Sequence, residues 1–516
     1  MKPSFNLWTE PWITVEQSSG ALGEMSLEQT LLHAPELRAI HDPSPLVVVS
    51  IHRLLTAVLQ DVFDPQDDED LEALWKAGCF SEEKVRAFGE HYAHRFDLFS
   101  EDAPFLQSAD LTLVPRKGES IKTVTYLMPQ IPAGGEVTHY RHGIAEDNVF
   151  CPTCAARGLL TVPPFATSGG AGIKPSINGV PPIYILPGGA TLFEQLWASL
   201  MLPEFQPEAA STTEDKVWWR RDPIVDYKGV VTEVSYLHSL TFPARRVRLH
   251  PERMTRPCTR CGRQSAWGVH TMVYKMGESR PKDAPFWFDP FAAYRVRDKK
   301  SPVPIRPLQS KVLWREYASL FLPMKAEEGA KEHTMPPNVL YQRGELAGGI
   351  GPDYDLFPVR CVGLRTDMKA KIFEWLDAGF DVPTSLLHDP VGSDVVRRGL
   401  VFGTDCARTL VGVFRGTFSR EGADHYVDLK ARMLAAYWSS LAAPFRDFVL
   451  GVADPRTREA ARVAWVERVV QEGERAFVDA AESVGDNAVA LRQRVEGISK
   501  CRGSLYARKK KALGGA

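Results

Sequence analysis

The motifs Cys151-Pro152-Thr153-Cys154 and, much later in the chain, Cys258-Thr259-Arg260-Cys261-Gly262 decide how this sequence folds. Two residues between paired cysteines let both thiolates turn onto one ion at about 2.3 Å, and a tetrahedral zinc site takes two such pairs. The spacing therefore predicts a structural Zn²⁺ bound by Cys151, Cys154, Cys258 and Cys261. His139 or His142 in place of one thiolate is the alternative ligand set.

Four further cysteines stand alone in the sequence, namely Cys79, Cys361, Cys406 and Cys501. An isolated cysteine behaves as a small apolar side chain, so we expect all four to be buried. A reducing cytoplasm disfavours disulfides, and a redox-active CxxC motif would not need a second copy.

Length and composition set the broad class of the protein. A chain of 516 residues exceeds what one hydrophobic core serves, which predicts at least two domains. With 44% hydrophobic and 24% charged residues the chain is typical of a globular cytoplasmic protein. We see no apolar run of about 18 residues and no signal-peptide core, and we therefore expect no membrane partner.

Charge is distributed unevenly along the chain. The 62 basic and 64 acidic residues give a net charge of −2, yet residues 216–300 contain 18 basic and 8 acidic side chains, a local balance of 18 − 8 = +10. This basic segment includes Arg245, Arg246, Arg248 and Lys275. A polyanion is one partner that such a segment would fit, and a solvated strand face is the alternative.

Short strand-like segments and helices are mixed up to about residue 380. The strand-like segments lie at 12–15, 112–114, 183–186, 247–249 and 357–362. A helix is predicted to begin at Pro45, with Ser44 as its cap. Longer helical patterns follow, near 390–418, 423–450, 455–484 and 487–512, with Pro444 expected to kink the second. The glycines at 399, 403, 412 and 416 weaken the pattern of the first. The expected fold class is α+β, with a mixed α/β domain over 1–380 and an antiparallel four-helix bundle over 381–516.

No catalytic constellation is recognisable in the sequence. His41-Asp42 and His388-Asp389 resemble ligand pairs of metal-dependent phosphohydrolases, but both precede a proline and are interpreted as turns. A phosphate-binding loop would need a helix where Pro175 stands. The sequence therefore favours a binding protein over an enzyme.

A glycine-rich segment, Gly169-Gly170-Ala171-Gly172, follows the first cysteine pair. Backbone without Cβ atoms approaches a ligand closely, and the minor groove of DNA is only about 6 Å wide. If zinc brings the basic segment alongside, the arrangement suits double-stranded DNA. A simple surface turn is the alternative interpretation.

Several ordered motifs, taken together, resemble one protein family. They are the two cysteine pairs, the glycine-rich segment, a C-terminal helical bundle, Phe5-Asn6-Leu7-Trp8-Thr9-Glu10-Pro11-Trp12-Ile13, Arg95-Phe96-Asp97-Leu98-Phe99, Pro104-Phe105-Leu106-Gln107 and Thr241-Phe242-Pro243-Ala244-Arg245-Arg246. The chain resembles the CasA family, the large subunit of the type I-E CRISPR surveillance complex Cascade. The resemblance spans essentially the whole chain.

That resemblance implies a non-catalytic subunit that binds double-stranded DNA and recognises the protospacer-adjacent motif from the minor groove. It also implies strand separation for pairing with CRISPR RNA, assembly with other Cascade subunits, and recruitment of a helicase-nuclease. By position, Gly169, Gly170, Ala171 and Gly172 would form the minor-groove loop, and 129–150 the loop that contacts the complex and DNA. Lys275 or Lys282 would be the basic residue that follows the second cysteine pair.

The sequence departs from the family where an Asn-Gln pair often follows Gly-Gly and supplies a wedge glutamine. Here Gly348-Gly349 is followed by Ile350-Gly351-Pro352-Asp353-Tyr354, so Tyr354 is the candidate for stacking on an opened base. Two other functions stay open: a zinc-containing metabolic enzyme with a helical interaction domain, and a purely structural assembly subunit.

Overall fold

The computed structural model describes most of the chain. The described residues are 2–112, 120–128, 148–167, 173–207, 217–221, 229–231, 233–281, 283–297, 300–308, 311–323, 332–346, 348–366, 372–418 and 423–514. They fall into two compact units, the first made of Met1–Gln309 and Lys331–Val382, the second of Ser310–Ala330 and Pro383–Ala516. The second unit thus takes residues from 310–330, which the sequence division at 380 assigns to the first domain.

Small sheets and short helices build the first unit. Its strands are β1 (Ile13–Gln17), β2 (Leu22–Met25), β3 (Leu37–Ile40), β4 (Ser120–Thr123), β5 (Tyr184–Pro187), β6 (Arg245–Arg253), β7 (Trp267–Met276), β8 (Tyr294–Arg297), β9 (Lys300–Pro304), β10 (Glu332–Met335), β11 (Leu356–Thr366) and β12 (Ile372–Pro383). In the described part of the chain they form four three-stranded sheets, in the orders β2-β1-β3, β4-β7-β6, β10-β8-β9 and β12-β11-β5.

The helices of the first unit are mostly short. They are α1 (Leu27–Leu32), α2 (Pro45–Phe63), α3 (Asp68–Ala77), α4 (Glu82–Tyr92), α5 (Pro152–Leu160), α6 (Val162–Phe165), α7 (Leu192–Trp197), α8 (Tyr236–Leu240) and α10 (Asn338–Glu345). Helix α2 begins at Pro45 as the sequence predicts, and its residues from Pro45 to Gln60 are buried. It contacts α4, α5 and α8 and is the central helix of this unit.

Helix α2 also corrects the expectation that no apolar run of membrane-spanning length exists. The helix has 19 residues, and an 18-residue stretch of it has a mean hydropathy of 1.6, so it is long and apolar enough to cross a membrane by length and composition alone. Most of this stretch is buried inside the first unit. A buried core helix of a globular protein can have the same length and composition as a membrane-spanning helix.

His52, on α2, is a buried ionisable group that carries no charge in the folded protein. Its Nε2 lies 2.8 Å from the Ser199 Oγ. Burial, and then the positive charges of Arg53 and Arg360, lower the pKa of His52 to about 3. The unfolded chain binds a proton near the ordinary histidine pKa of about 6.5, which the folded protein excludes.

We expect this imbalance to make stability fall with acidity. Between about pH 6.5 and pH 3 the unfolded state holds the extra proton, so the free energy of unfolding drops by up to about 1.4 kcal/mol per pH unit. Urea unfolding at pH 7.5 and 5.5 should show His52→Gln losing about 1.4 kcal/mol less than the parent. Equal losses in His52→Gln and in the parent would contradict the assignment of His52 as the group that causes this dependence.

The second unit is helical. Its helices are α9 (Tyr317–Phe321), α11 (Pro390–Phe418), α12 (Ala423–Ser440), α13 (Ala442–Ala453), α14 (Arg458–Glu482) and α15 (Ala488–Leu513). The predicted second long helix is broken between α12 and α13, close to Pro444, which lacks the backbone N–H that a continuous helix needs. The interruption lies at Leu441, three residues before the proline at which a kink was expected.

Helix α11 runs through all four glycines that weakened its prediction. A Cβ at Gly399 would lie 2.6 Å from the Phe448 ring, so this glycine allows close packing. Trp314, from the segment that precedes the bundle in the chain, lies with its ring 4.8 Å from Phe445 and 5.8 Å from Trp438. These aromatic contacts explain why residues around 314 belong to the second unit.

Candidate metal centre and nucleic-acid interface

The first cysteine pair lies at the start of α5. Cys151 is the residue just before the helix and has extended backbone, Pro152 takes the first helical position, and Cys154 lies in the first turn. Proline is favoured there because its missing N–H would be unpaired in any case. The helix start thus turns both thiols to the same end of α5.

The second pair lies in the connection between β6 and β7, which pair antiparallel down to Arg253 and Trp267. Gly262, at a φ of +74°, closes a tight turn in which its N–H donates to the Cys258 carbonyl at 2.8 Å. Such a backbone conformation favours glycine, which explains the glycine after the second pair.

Backbone hydrogen bonds bring the two pairs together. The Phe150 and Val269 backbones exchange hydrogen bonds of 3.0 and 2.8 Å, and the Thr259 N–H donates to the Val149 carbonyl at 2.9 Å. The β6–β7 connection is therefore held against the residues that precede α5, although residues 155–257 separate the pairs in sequence.

The four sulfur atoms form one cluster. Their ligand atoms all lie within 4.8 Å of one another, and the Sγ atoms of Cys151 and Cys261 are 3.7 Å apart. A tetrahedron with metal–sulfur bonds of about 2.3 Å has edges of about 3.8 Å, so this spacing fits a four-thiolate zinc site. The cluster is assembled as predicted from the two motifs, and its donor set fits Zn²⁺.

The thiols differ in their acidity. Hydrogen bonds from Cys151 and Cys154 lower the pKa of Cys258, whereas the hydrogen bond with Cys151, together with burial, raises the pKa of Cys154. A cation that binds all four sulfurs has to displace the thiol protons, and its positive charge is what makes this favourable.

A buried charge network surrounds the cluster and was missed by sequence reasoning. The fully buried carboxylate of Asp42 accepts a hydrogen bond from Arg260 at 2.6 Å and one from Arg157 at 3.3 Å. Arg260 also directs a guanidinium N–H to the Cys154 Sγ at 3.7 Å. The Ser44 N–H donates to the Asp42 carboxylate at 2.8 Å, as the interpretation of His41-Asp42 as a turn requires. Nothing in the sequence around Asp42 predicts that Arg157 and Arg260 bind it.

The isolated cysteines divide into two groups. Cys361, Cys406 and Cys501 are buried, which confirms the expectation for these three, and burial raises the pKa of Cys361. Cys79 is exposed, so its predicted burial is wrong. It lies just after the glycine that ends α3, where the chain leaves the helix.

Arg245, Arg246 and Arg248 of β6 do not form the solvated strand face considered from the sequence. Arg245 and Arg246 are 2% and 4% exposed. Arg246 binds Asp110 and donates to the Ser108 Oγ at 3.2 Å, and Arg248 donates to the Ser100 carbonyl at 3.1 Å. These side chains bind protein groups, so they are not available to phosphates in this conformation.

Of the predicted DNA contacts, Lys275 and Tyr354 lie in the described part of the chain. Lys275 is half-buried on β7, opposite Arg246 in the strand register. The Tyr354 hydroxyl binds the Glu194 carboxylate and accepts the Ala190 N–H at 3.2 Å. Tyr354 would have to break these two hydrogen bonds in order to stack on an opened base.

The other predicted sites lie outside the described residues. These sites are the glycine-rich residues Gly169, Gly170, Ala171 and Gly172, the basic residue Lys282, the alternative ligands His139 and His142, and most of the 129–150 loop. The residues on both sides of the glycine-rich segment are described and provide the geometry of its two ends.

Comparison with known proteins identifies the relationships of the chain. A family described as CRISPR-associated protein Cse1 matches residues 6–476. The CRISPR-associated protein CasA/Cse1 of Thermus thermophilus is 31% identical over 397 residues, 74% of this chain and 72% of that protein. The solved Cse1 of Acidimicrobium ferrooxidans shares the fold, with a TM-score of 0.79 at 22% identity over 99% of both chains.

A chain of a structure described as a CRISPR RNA-guided surveillance complex shares the fold as well. Its TM-score is 0.75 at 16% identity, over 98% of this chain and 100% of that one. The matched family covers most of the sequence, from before the first strand into the last pair of bundle helices. The resemblance read from the ordered motifs is thereby confirmed, and the chain belongs to the CRISPR-associated Cse1 (CasA) family.

Proposed function

We propose that this protein is the non-catalytic large subunit of a type I-E CRISPR RNA-guided surveillance complex in the cytoplasm. Family membership supports this proposal, as does the likeness to a chain of a CRISPR RNA-guided surveillance complex. Its partners would be the other Cascade subunits, CRISPR RNA, target double-stranded DNA and the helicase-nuclease that the complex recruits.

The cluster of Cys151, Cys154, Cys258 and Cys261 would hold a structural Zn²⁺. When bound, the ion would supply a cross-link between the start of α5 and the β6–β7 connection, with no open position for a substrate. Helices α5 and α6 lead directly from the cluster to the glycine-rich segment. This assembled cluster is the observation that supports the proposal, because α5, which leads toward the glycine-rich segment, and the connection between β6 and β7 both supply its cysteines.

We assign DNA recognition to Gly169-Gly170-Ala171-Gly172, which would enter the minor groove next to the protospacer-adjacent motif. Lys275 and Lys282 would contact the phosphate backbone, and Tyr354 would contribute at the point of strand separation. A loop without side chains reads the narrow minor groove by shape, and its degenerate pattern suits a short and tolerant motif. The second unit, as an antiparallel four-helix bundle with its second helix split at Leu441, would contact neighbouring subunits.

Replacing Gly170 by leucine tests this assignment. The side chain would block entry into a groove about 6 Å wide, so the assembled complex should lose its preference for targets with the correct flanking motif. We expect the ratio of affinities for good and poor flanks to fall at least about tenfold, measured by gel shift with guide-matched duplexes whose flanking bases are randomised.

Gly412→Leu is the matched control. Gly412 lies on α11 with open space around its Cβ position, so the same side chain is added without a packing clash. The control should assemble and discriminate as the parent does. Discrimination that survives in Gly170→Leu would refute the assignment, and assembly without any DNA binding by the parent complex would favour the purely structural subunit.

A further inference from the structure

Arg245, the first residue of β6, is buried and binds the backbone just before the glycine-rich segment. Its Nη2 donates to the Thr167 carbonyl at 2.6 Å, and its Nη1 to the Ala244 carbonyl at 2.6 Å. Its Nε donates to the Tyr274 hydroxyl at 2.8 Å. All of these acceptors are neutral, and among the described residues no carboxylate forms an ion pair with Arg245.

The other end of the glycine-rich segment meets the same cluster. The Lys174 N–H points to the Met276 Sδ at 3.3 Å, and the Arg245 Nη1 lies 3.9 Å from that sulfur. Two residues further on, the Ser176 N–H donates to the Ala166 carbonyl at 2.9 Å, so the chain after the glycine-rich segment is bonded to the chain before it. Thr167 and Lys174, which lie on either side of 168–172, are therefore bonded to residues of β6 and β7.

Strand alternation separates this cluster from the neighbouring arginines. Arg245 pairs with Met276 in the register, whereas Arg246 pairs with Lys275. Successive side chains of a strand point to opposite faces, so Arg245, Tyr274 and Met276 share the face that contacts Thr167 and Lys174. Arg246 uses the other face to bind Asp110, which makes it a natural comparison.

We propose that Arg245 is a positioning residue for motif recognition, because it bonds the Thr167 carbonyl before the glycine-rich segment and lies against Met276, whose sulfur accepts the Lys174 N–H after it. The proposal rests on the proposed function of that segment in DNA recognition. A guanidinium that bonds two carbonyls and a hydroxyl in one planar fork sets distances and directions that a lysine ammonium cannot reproduce.

Arg245→Lys keeps the charge and removes the fork, so it isolates the geometric role. In the complete chain, amide hydrogen exchange at residues 166–176 should become about tenfold faster, because the stem opens more often. In the assembled complex, the ratio of affinities for good and poor flanking motifs should fall about tenfold on duplexes with randomised flanks. Affinity for poor flanks should change little, because the charge remains.

Arg246→Lys is the matched control, a buried arginine on the same strand with the same chemical change. It should leave both the exchange at 166–176 and the discrimination ratio at parent values. Tyr274→Phe removes only the hydroxyl that Arg245 bonds, and it should shift both readouts in the same direction by a smaller factor. This variant keeps the test decisive if Arg245→Lys does not fold.

The outcomes separate this proposal from the function on which it rests. Faster exchange with unchanged discrimination in Arg245→Lys, while Gly170→Leu loses discrimination, would overturn the positioning role and leave the loop assignment intact. Unchanged discrimination in Gly170→Leu would instead overturn the loop assignment, and the positioning role would fall with it. Equal effects of Arg245→Lys and Arg246→Lys would identify a general loss of packing and would also overturn the proposal.

Discussion

Cys258→Ser is expected to lose the metal and to destabilise the first unit strongly. A serine hydroxyl does not replace a thiolate as a zinc ligand at neutral pH. The remaining three sulfurs are arranged for four-coordinate binding, so they would bind the ion with one ligand missing. Zinc binding contributes about 10 kcal/mol in small zinc modules, so the loss of part of this free energy should lower the unfolding midpoint by about 10 °C. Elemental analysis of the purified protein should find about one zinc per parent chain and almost none per variant chain.

Cys79→Ser provides the control for this prediction. Cys79 is exposed and outside the cluster, so the same substitution should change neither the zinc content nor the unfolding midpoint. A parent protein without stoichiometric zinc would refute the metal assignment. Full zinc content in Cys258→Ser would show that this thiolate is not a ligand.

Asp289→Asn is the second change with a large expected effect. Asp289 is fully buried and accepts hydrogen bonds from both terminal nitrogens of Arg53, at 3.0 and 2.9 Å. The Asn178 amide donates to the same carboxylate at 2.8 Å. An asparagine of equal size leaves the Arg53 charge buried without its counter-ion, which should cost about 3–5 kcal/mol of unfolding free energy.

The exposed pair of Arg360 and Asp377 provides the comparison. Its two hydrogen bonds, 2.9 and 2.8 Å, are as short as those of the buried pair, but both side chains reach solvent. Asp377→Asn should therefore cost about 1 kcal/mol or less. Urea unfolding of the two variants measures the difference, and equal losses would show that burial is not what makes the Arg53 pair important.

The helices of the second unit were the elements best predicted from sequence. Their apolar residues recur with helical spacing, and that pattern is local, so the bounds of α11, α14 and α15 differ from the predicted ones by a few residues at most. Pro444 marks the break for an equally local reason, the missing backbone N–H. The contribution of Trp314 to this unit depends on contacts with distant residues and has no local pattern.

The strands of the first unit were predicted less completely. Segments at 183–186, 247–249 and 357–362 lie within or largely within β5, β6 and β11. Strands β2, β3, β4, β7, β8, β9, β10 and β12 were missed. β12 lies at the edge of its sheet and buries only Val382 and Pro383, so its residues do not show the clear alternation of apolar and polar side chains that marks a half-buried strand.

The site was predicted where its chemistry depends on residue type and short spacing. Two CxxC pairs predict the sulfur cluster, because two intervening residues suffice to direct both thiols to one point. Charge composition was a weaker guide. The sequence shows that 216–300 is basic, but not that Arg245 and Arg246 are buried and bind protein carbonyls and carboxylates.

By itself, the sequence determined which four cysteines form the sulfur cluster, the family pattern and the helical second unit, since each depends on short motifs or on local periodicity. Only the tertiary structure decided that Asp42 binds Arg157 and Arg260 beside the cluster, and that Arg245 and Arg246 serve opposite faces of one sheet. The physical reason is that a charged side chain acts through its partners. Those partners are chosen by folding, which brings together residues far apart in sequence and excludes water from the contacts between them.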